Sequence, residues 1–439
     1  MKTIKPTDFV AAKRLMLCLG LLLTSVAFLQ CTDSSNEKSK PRVLISTDIG
    51  GTDPDDYQSM IHALMYADLY ELEGLISSPF GEGTTNDIEM IIDLYEKDLP
   101  QLIKQAPALP DPQFLRSICK QGSKLEAPFK GFTTASEGSD WLIKCAKKES
   151  DQPLWVLVWG GIEDLAQALH DAPEITKNIR VYWIGGPNKK WSSNAYAYIA
   201  ENHPDLYMIE ANATYRGWFM EDENAPENMS GAAYYNNFIK GHGALADNFI
   251  NHYEGHIKMG DTPSLAYLMN GDANDPTTDS WGGKFEKINR SARYIFNGNT
   301  STKDTVSAYA ILEWRFKGPE LAIPPDSSCF VLEIQKQKWA GYYLGEGIYA
   351  VRYSSKKPET GSYETHSDIE ELDGLKGQYV STNPWPGKPN KDDYLLGNQW
   401  YGDVSNPELF LKDQQGARTI SKFRKDYLMD WAERWAWIK

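Results

Sequence analysis

The sequence predicts an α/β fold: a mostly parallel sheet flanked by helices, followed by a β-rich or irregular C-terminal insertion. Three observations predict it. Apolar strand-like runs alternate with segments of helical spacing, as repeated strand–loop–helix units require. Two of the runs, Leu154-Trp155-Val156-Leu157-Val158-Trp159 and Val181-Tyr182-Trp183-Ile184, are continuously apolar, as strands covered on both faces are. From about Lys317 to Thr419 helical periodicity fades, and aromatic residues are scattered among Gly and Pro.

Taken in order, the chain begins with a segment outside the fold. Lys2, Lys5, Lys13 and Arg14 precede an apolar run over 15–29 that ends at Gln30-Cys31. The run is short for a membrane span of about 20 residues and has the flanks of a secretory signal. It resembles a bacterial lipoprotein signal, which implies a signal peptide over 1–30, lipidation of Cys31 and a cell-envelope protein held to a membrane by that anchor. Residues 31–41 then read as a polar tether.

Val43-Leu44-Ile45 reads as a buried strand that runs into Asp48-Ile49-Gly50-Gly51-Thr52-Asp53-Pro54-Asp55-Asp56, with four carboxylates in nine residues. Helical spacing follows over 57–70, a strand over 72–78 and a helix over 86–97. Ser136-Glu137-Gly138-Ser139 opens a helix to about Lys148. The run ending at Trp159 turns at Gly160-Gly161 into a helix over 164–169, and the run ending at Ile184 turns at Gly185-Gly186-Pro187-Asn188. A short strand is expected over 206–209, a helical stretch over 234–250, and a helix over 264–269 after Gly260-Asp261-Thr262-Pro263. Strand-like segments over 328–335, 347–353 and 377–380 mark the insertion, and an amphipathic helix over 421–438 closes the chain. The expected organisation is a main domain over 42–318, an aromatic-rich insertion over 319–418, and a terminal helix over 419–439 that packs back on the main domain.

The bulk properties narrow the function. A net charge of −15 over 439 residues excludes a nucleic-acid polymer as partner. With 14 Trp and 24 Tyr the chain is rich in rings that stack on sugars or bases, although core packing uses most aromatics. Cys119, Cys145 and Cys329 form neither a disulfide framework nor a zinc spacing. Crowded carboxylates at the end of a first strand repel one another unless a cation neutralises them, and oxygen ligands suit Ca²⁺ or Mg²⁺. The bland alternative is a solvated acidic turn.

The acidic stretch is similar to the Asp-x-Asp-Pro-Gly-x-Asp-Asp signature of calcium-dependent ribonucleoside hydrolases, with Ser46-Thr47-Asp48-Ile49-Gly50 on its first half and Asp55-Asp56 on the closing pair. The chain resembles more closely the nucleoside-hydrolase-like family often labelled cellulose-binding proteins. Ser59-Met60, Leu64-Met65-Tyr66-Ala67, Ser136-Glu137-Gly138-Ser139, Trp155 to Gly161, Gly260 to Ser264 and Trp281-Gly282-Gly283 carry that likeness. It implies a nucleoside-hydrolase-like sheet and a Ca²⁺ ion held by Asp48, Asp56, the Trp159 carbonyl and Asp261. Asp55 would be the general base. Asn188 and Asn194 fall where ribose hydroxyls are gripped, an amide suiting a vicinal diol; both also read as turn asparagines. Glu82, or Asn86, falls near the sugar rim, and Asn86 fits a helix cap equally.

Two departures weigh on the implied chemistry. Three extra residues in the loop let Asp53 stand in for Asp55, and Gly260 replaces the histidine expected beside Asp261, the usual acid for the leaving group. Glu137 is a candidate donor, and also an ordinary first-turn acid. Three readings follow: a Ca²⁺-dependent hydrolase of a glycosidic bond on a pentose-like sugar, acting on a nucleoside or glycan; a surface glycan-binding lipoprotein; and an inactive relative. Oligomers are compatible with each.

Overall fold

The structure is a computed structural model that describes residues 39–78, 81–222 and 225–439. The expected signal peptide, Cys31 and most of the tether lie outside the described residues. No described helix is long and apolar enough to cross a membrane.

Six parallel strands form the centre of the unit Pro41–Lys439: β1 (Arg42–Thr47), β2 (Glu71–Ser77), β3 (Cys119–Gln121), β4 (Leu154–Val158), β5 (Ile179–Ile184) and β6 (Tyr207–Ala211). Their spatial order is β3-β2-β1-β4-β5-β6. The chain winds outward from β1 through β3, then crosses back and winds the other way from β4. The carboxyl ends of β1 and β4 therefore flank the point where strand order reverses, the crevice where such sheets bind ligands.

Strand periodicity sorts the core. Along β4, Trp155 and Leu157 point into one cluster with Val43 and Ile45 of β1, while Leu154, Val156 and Val158 point into another with Leu44. Helices cover both faces, which is why these strands read as unbroken apolar runs. Helix α1 (Asp55–Met65) and helix α2 (Thr85–Leu102) lie on the first face. The terminal helix, Arg424–Trp435, packs there as well: Tyr427 stacks on Trp218 at 3.8 Å, and the fully buried Trp431 meets Tyr234, Phe249 and Trp435. Arg434 adds an ion pair to Asp68.

The C-terminal region is an eight-stranded, mainly antiparallel sheet. It recruits Arg293–Asn297, Thr305–Ser307 and Ile311–Lys317 from before the expected start at 319. Gln337–Gly345 and Glu359–His366 are further strands that the sequence reading passed over, because their Gly and Tyr content obscures alternation. The insertion also supplies the main sheet: Trp400–Asp403 pairs parallel to β6, and the main domain's own Phe285–Lys287 pairs antiparallel beyond it. The expected helix over 234–250 is two pieces, a π-helical Tyr235–Ile239 and Gly243–Phe249, interrupted by Gly241 and Gly243 at φ 83° and 84°.

Most aromatic residues of the insertion are core. Tyr342, Tyr343, Tyr349, Tyr353, Trp385 and Trp400 are all buried, and Trp314 packs on Tyr363 at 4.9 Å. Those rings are used in packing, so the stacking role expected from composition does not fall on them. One buried ion pair of the main domain reaches the insertion through Trp400. Lys189 Nζ lies 2.6 Å from Glu210 Oε1 with both side chains fully buried, and Glu210 also accepts from Tyr196, Asn212 and Trp400 at 2.8, 2.9 and 3.2 Å.

Candidate functional site

The acidic stretch lies where the sheet topology puts a ligand. β1 ends at Thr47, the chain turns through a Gly51 N–H to Asp48 carbonyl bond of 2.8 Å, and α1 begins at Asp55 directly after Pro54. Gly50 carries φ 83°, and a Cβ there would stand 2.7 Å from the Gly83 Cα, so only glycine fits the turn. Asp55 and Asp56 occupy the first turn of α1, where the helix dipole favours negative charge. Thr47 Oγ1 donates to Asp56 and accepts from the Ile49 N–H at 3.1 Å. Asp261 arrives from the far side as the residue before helix Thr262–Met269, its carbonyl taking the Ser264 N–H and hydroxyl at 3.0 and 2.7 Å.

Carboxylate oxygens of Asp55, Asp56 and Asp261 lie within 4.8 Å of one another. Asp48 meets the Asp56 carboxyl, and its side chain rests on Gly160: a Cβ on Gly160 would lie 2.5 Å from the Asp48 Cβ. Trp159, between β4 and that glycine, is fixed by its N–H to Ser46 carbonyl at 2.7 Å and its indole to Ser264 Oγ at 2.8 Å. One hydrogen-bond chain thus runs from the end of β4 through Ser264 to Asp261.

Burial is the main force on these acids. It pushes Asp48 up to about 6, with the Asp53 charge adding to the rise. It pushes Asp55 up to about 7, again with Asp53 and Asp48 adding and Lys258 opposing. Asp56 and Asp261 are raised well above the carboxylate range by burial first, then by each other's cluster. Such a group is neutralised by protons or by a cation, and its all-oxygen donor set fits a hard divalent ion.

The remaining expected residues are dispersed. Asn188 spends both amide hydrogens on backbone, donating to the Trp159 carbonyl at 2.8 Å and the Ile184 carbonyl at 3.0 Å. It braces the Trp159 carbonyl, which keeps a second lone pair. Asn194 donates to the Ala127 carbonyl at 3.0 Å. Glu82 and Asn86 are exposed, and the cap of α2 is Thr84, reciprocated by Asp87. Glu137 is exposed in a helical first turn and paired with Lys120 at 3.4 Å, the bland reading of that residue.

Gly260 has a physical reason. Its N–H donates to Asp55 Oδ2 at 3.0 Å, and a Cβ there would stand 2.4 Å from that oxygen. Any side chain there, histidine included, would push the Asp55 carboxylate from its place. The same imaginary Cβ lies 3.5 Å from Tyr215, which the sequence reading missed along with Arg216. The available signal was a Tyr-Arg pair just past the end of β6.

Residues 42–285 match the family described as Cellulose-binding Sde182, nucleoside hydrolase-like domain, and residues 305–368 match a domain of unknown function, DUF5060. No curated protein matches in sequence. Among solved structures, a nucleoside hydrolase-related hypothetical protein from Saccharophagus degradans, associated with carbohydrate metabolism, is similar at 18% identity, covering 78% of this chain and 99% of its own, with a TM-score of 0.48. An inosine-uridine preferring nucleoside hydrolase from Bacillus anthracis aligns at 17% identity over 58% of this chain and 86% of its own, TM-score 0.36. A purine-preferring ribonucleoside hydrolase from Gardnerella vaginalis aligns at 17% identity over 57% and 84%, TM-score 0.37.

Proposed function

The chain belongs to the cellulose-binding Sde182, nucleoside hydrolase-like family, and from that membership we propose that it is a Ca²⁺-dependent hydrolase of a glycosidic bond on a pentose-like sugar. The observation that carries the reading is the geometry: carboxylate oxygens of Asp55, Asp56 and Asp261 within 4.8 Å of one another, with Asp48 on Asp56, at the carboxyl ends of β1 and β4. Asp48, Asp56, Asp261 and the braced Trp159 carbonyl are the ligands in this reading. When bound, the ion supplies positive charge that offsets the carboxylates and makes a nearby water easier to deprotonate.

The rest is the work of this chain's own side chains. Asp55 removes the proton of the attacking water, with one of its oxygens fixed by the Gly260 N–H at 3.0 Å so that the other is free to act. The anionic loop stabilises the oxocarbenium-like sugar as the bond to the leaving group lengthens. Asn188 acts at one remove, by setting the Trp159 carbonyl. The protein works at the cell envelope in this reading, held by a lipid on Cys31.

Calorimetric titration with Ca²⁺, together with hydrolysis of nucleosides and aryl ribosides, tests the proposal. One site per chain and Ca²⁺-dependent turnover are expected, with Asp56→Asn and Asp261→Asn each losing both. A chain that binds Ca²⁺, turns over neither substrate and is retarded in a cellulose affinity gel belongs to the second reading, glycan binding without turnover, which the family's description favours.

A further inference from the structure

Cleaving a glycosidic bond leaves negative charge on the departing atom, so a proton donor is needed opposite the base. The carboxylates at the centre are acceptors, and the histidines lie elsewhere. His62 is buried among Tyr66, Trp218 and Trp431, His252 stacks on Tyr57, and His242 bonds the Ile438 carbonyl. Lys258 lays its ammonium over the Phe219 ring at 4.4 Å.

Resting on the hydrolase reading above, we propose that the Tyr215 hydroxyl, held by Arg216, donates the proton to the leaving group. Tyr215 is only 6% exposed. Its ring edge and the Asp55 carboxylate flank Gly260 from two sides, 3.5 and 2.4 Å from the point a Cβ would occupy. Its hydroxyl reaches the turn after β5, 2.9 Å from where a Cβ on Gly186 would be. The phenol therefore lies between the β5 turn and Gly260 beside Asp55, and its ring leaves no room for a side chain at Gly186.

The hydrogen bonding at this phenol is one-sided. Arg216 Nε donates to the Tyr215 oxygen at 3.2 Å, and among the described residues nothing accepts the hydroxyl's own proton. A buried hydroxyl with a spare proton costs free energy unless a ligand takes it. Arg216 has only neutral partners, the Tyr215 and Tyr309 hydroxyls and the Gln414 amide oxygen, so no carboxylate cancels its charge among the described residues. That charge favours the phenolate, against burial and the Asp55 and Asp261 charges, which together hold the hydroxyl above the ordinary phenol range. A phenol is protonated at neutral pH, so the proton is present before the reaction.

The step balances. The anomeric carbon–heteroatom bond breaks with its electron pair on the leaving group, which takes the Tyr215 proton. Water adds to the anomeric carbon and gives its proton to Asp55. Transfer of that proton to the tyrosinate, directly or through water, restores the starting state. Arg216 is a positioning residue here and touches no reacting atom.

The test uses Tyr215→Phe, which keeps the ring, on two substrates: a nucleoside with a poor leaving group and 4-nitrophenyl riboside with a good one. The variant is expected to lose roughly 10²–10⁴-fold in kcat/KM on the nucleoside and less than about tenfold on the nitrophenyl substrate, with Ca²⁺ affinity unchanged. Arg216→Gln should show the same selectivity in weaker form. Equal losses on both substrates, or none, overturn the role of Tyr215 and leave the hydrolase reading intact. A wild-type chain that binds Ca²⁺ and turns over neither substrate ends that reading, and the role of Tyr215 with it.

Discussion

Replacing Asp55 by asparagine should stabilise the metal-free protein, and by an amount that depends on pH. Asparagine keeps an oxygen for the Gly260 N–H and removes a charge that burial and the neighbouring carboxylates oppose. In the folded chain the Asp55 carboxyl is raised from 3.8 to about 7. The folded state therefore binds more protons than the unfolded state between those values, and this group's contribution to stability falls as pH rises from about 4 to about 7. Three units at about 1.4 kcal/mol each give roughly 4 kcal/mol, and sharing of protons with Asp48 brings the expected gain to about 2–4 kcal/mol at pH 8. Urea unfolding in chelator at pH 8 and pH 4 measures it: Asp55→Asn should be the more stable protein at pH 8 and near parity at pH 4. Saturating Ca²⁺ should shrink or reverse the order, because the ion stabilises the wild type more. An Asp55→Asn protein less stable than wild type at pH 8 in chelator would refute the reasoning, since the carboxylate would then be held by favourable contacts.

Two further outcomes follow from the packing. Gly160→Ala puts a methyl 2.5 Å from the Asp48 Cβ; it should cost about 1–3 kcal/mol in denaturant unfolding and weaken Ca²⁺ in the same titration that serves the wild type. Lys189→Met leaves Glu210 buried without its cation, so a loss of about 3–5 kcal/mol is expected, read by the same unfolding curves.

Much of the fold was legible because local signals agreed with the global arrangement. The continuous runs ending at Trp159 and Ile184 are β4 and β5, buried on both faces as their composition required. The glycines after them mark the turns at the ligand-binding edge. The second sheet was less legible: Glu359–His366 carries Gly361 under the ring of Tyr379, so a small residue serves the packing while breaking the alternation, whereas Lys376–Thr382 was readable over 377–380. The acidic site was legible where chemistry is dense in sequence, at Asp48 to Asp56. Asp261 came from the resemblance, not from spacing. Tyr215 and Arg216 left only the weak signal of a Tyr-Arg pair past β6, because their relation to Gly260 and Gly186 exists only once the strand ends are side by side.

The strand Trp400–Asp403 gives the main sheet an unusual timetable. Trp400 pairs with Met208, about 190 residues earlier, and at roughly 5–20 residues per second β6 waits roughly 10–40 s for its neighbour. Through that interval its outer edge has unpaired amides and carbonyls, a template for mispairing that folded sheets avoid. The chain thus cannot complete its ligand-binding half and then add an optional module. Cutting the insertion away would strip a strand from the sheet that carries the acids, so the two halves are made and lost together.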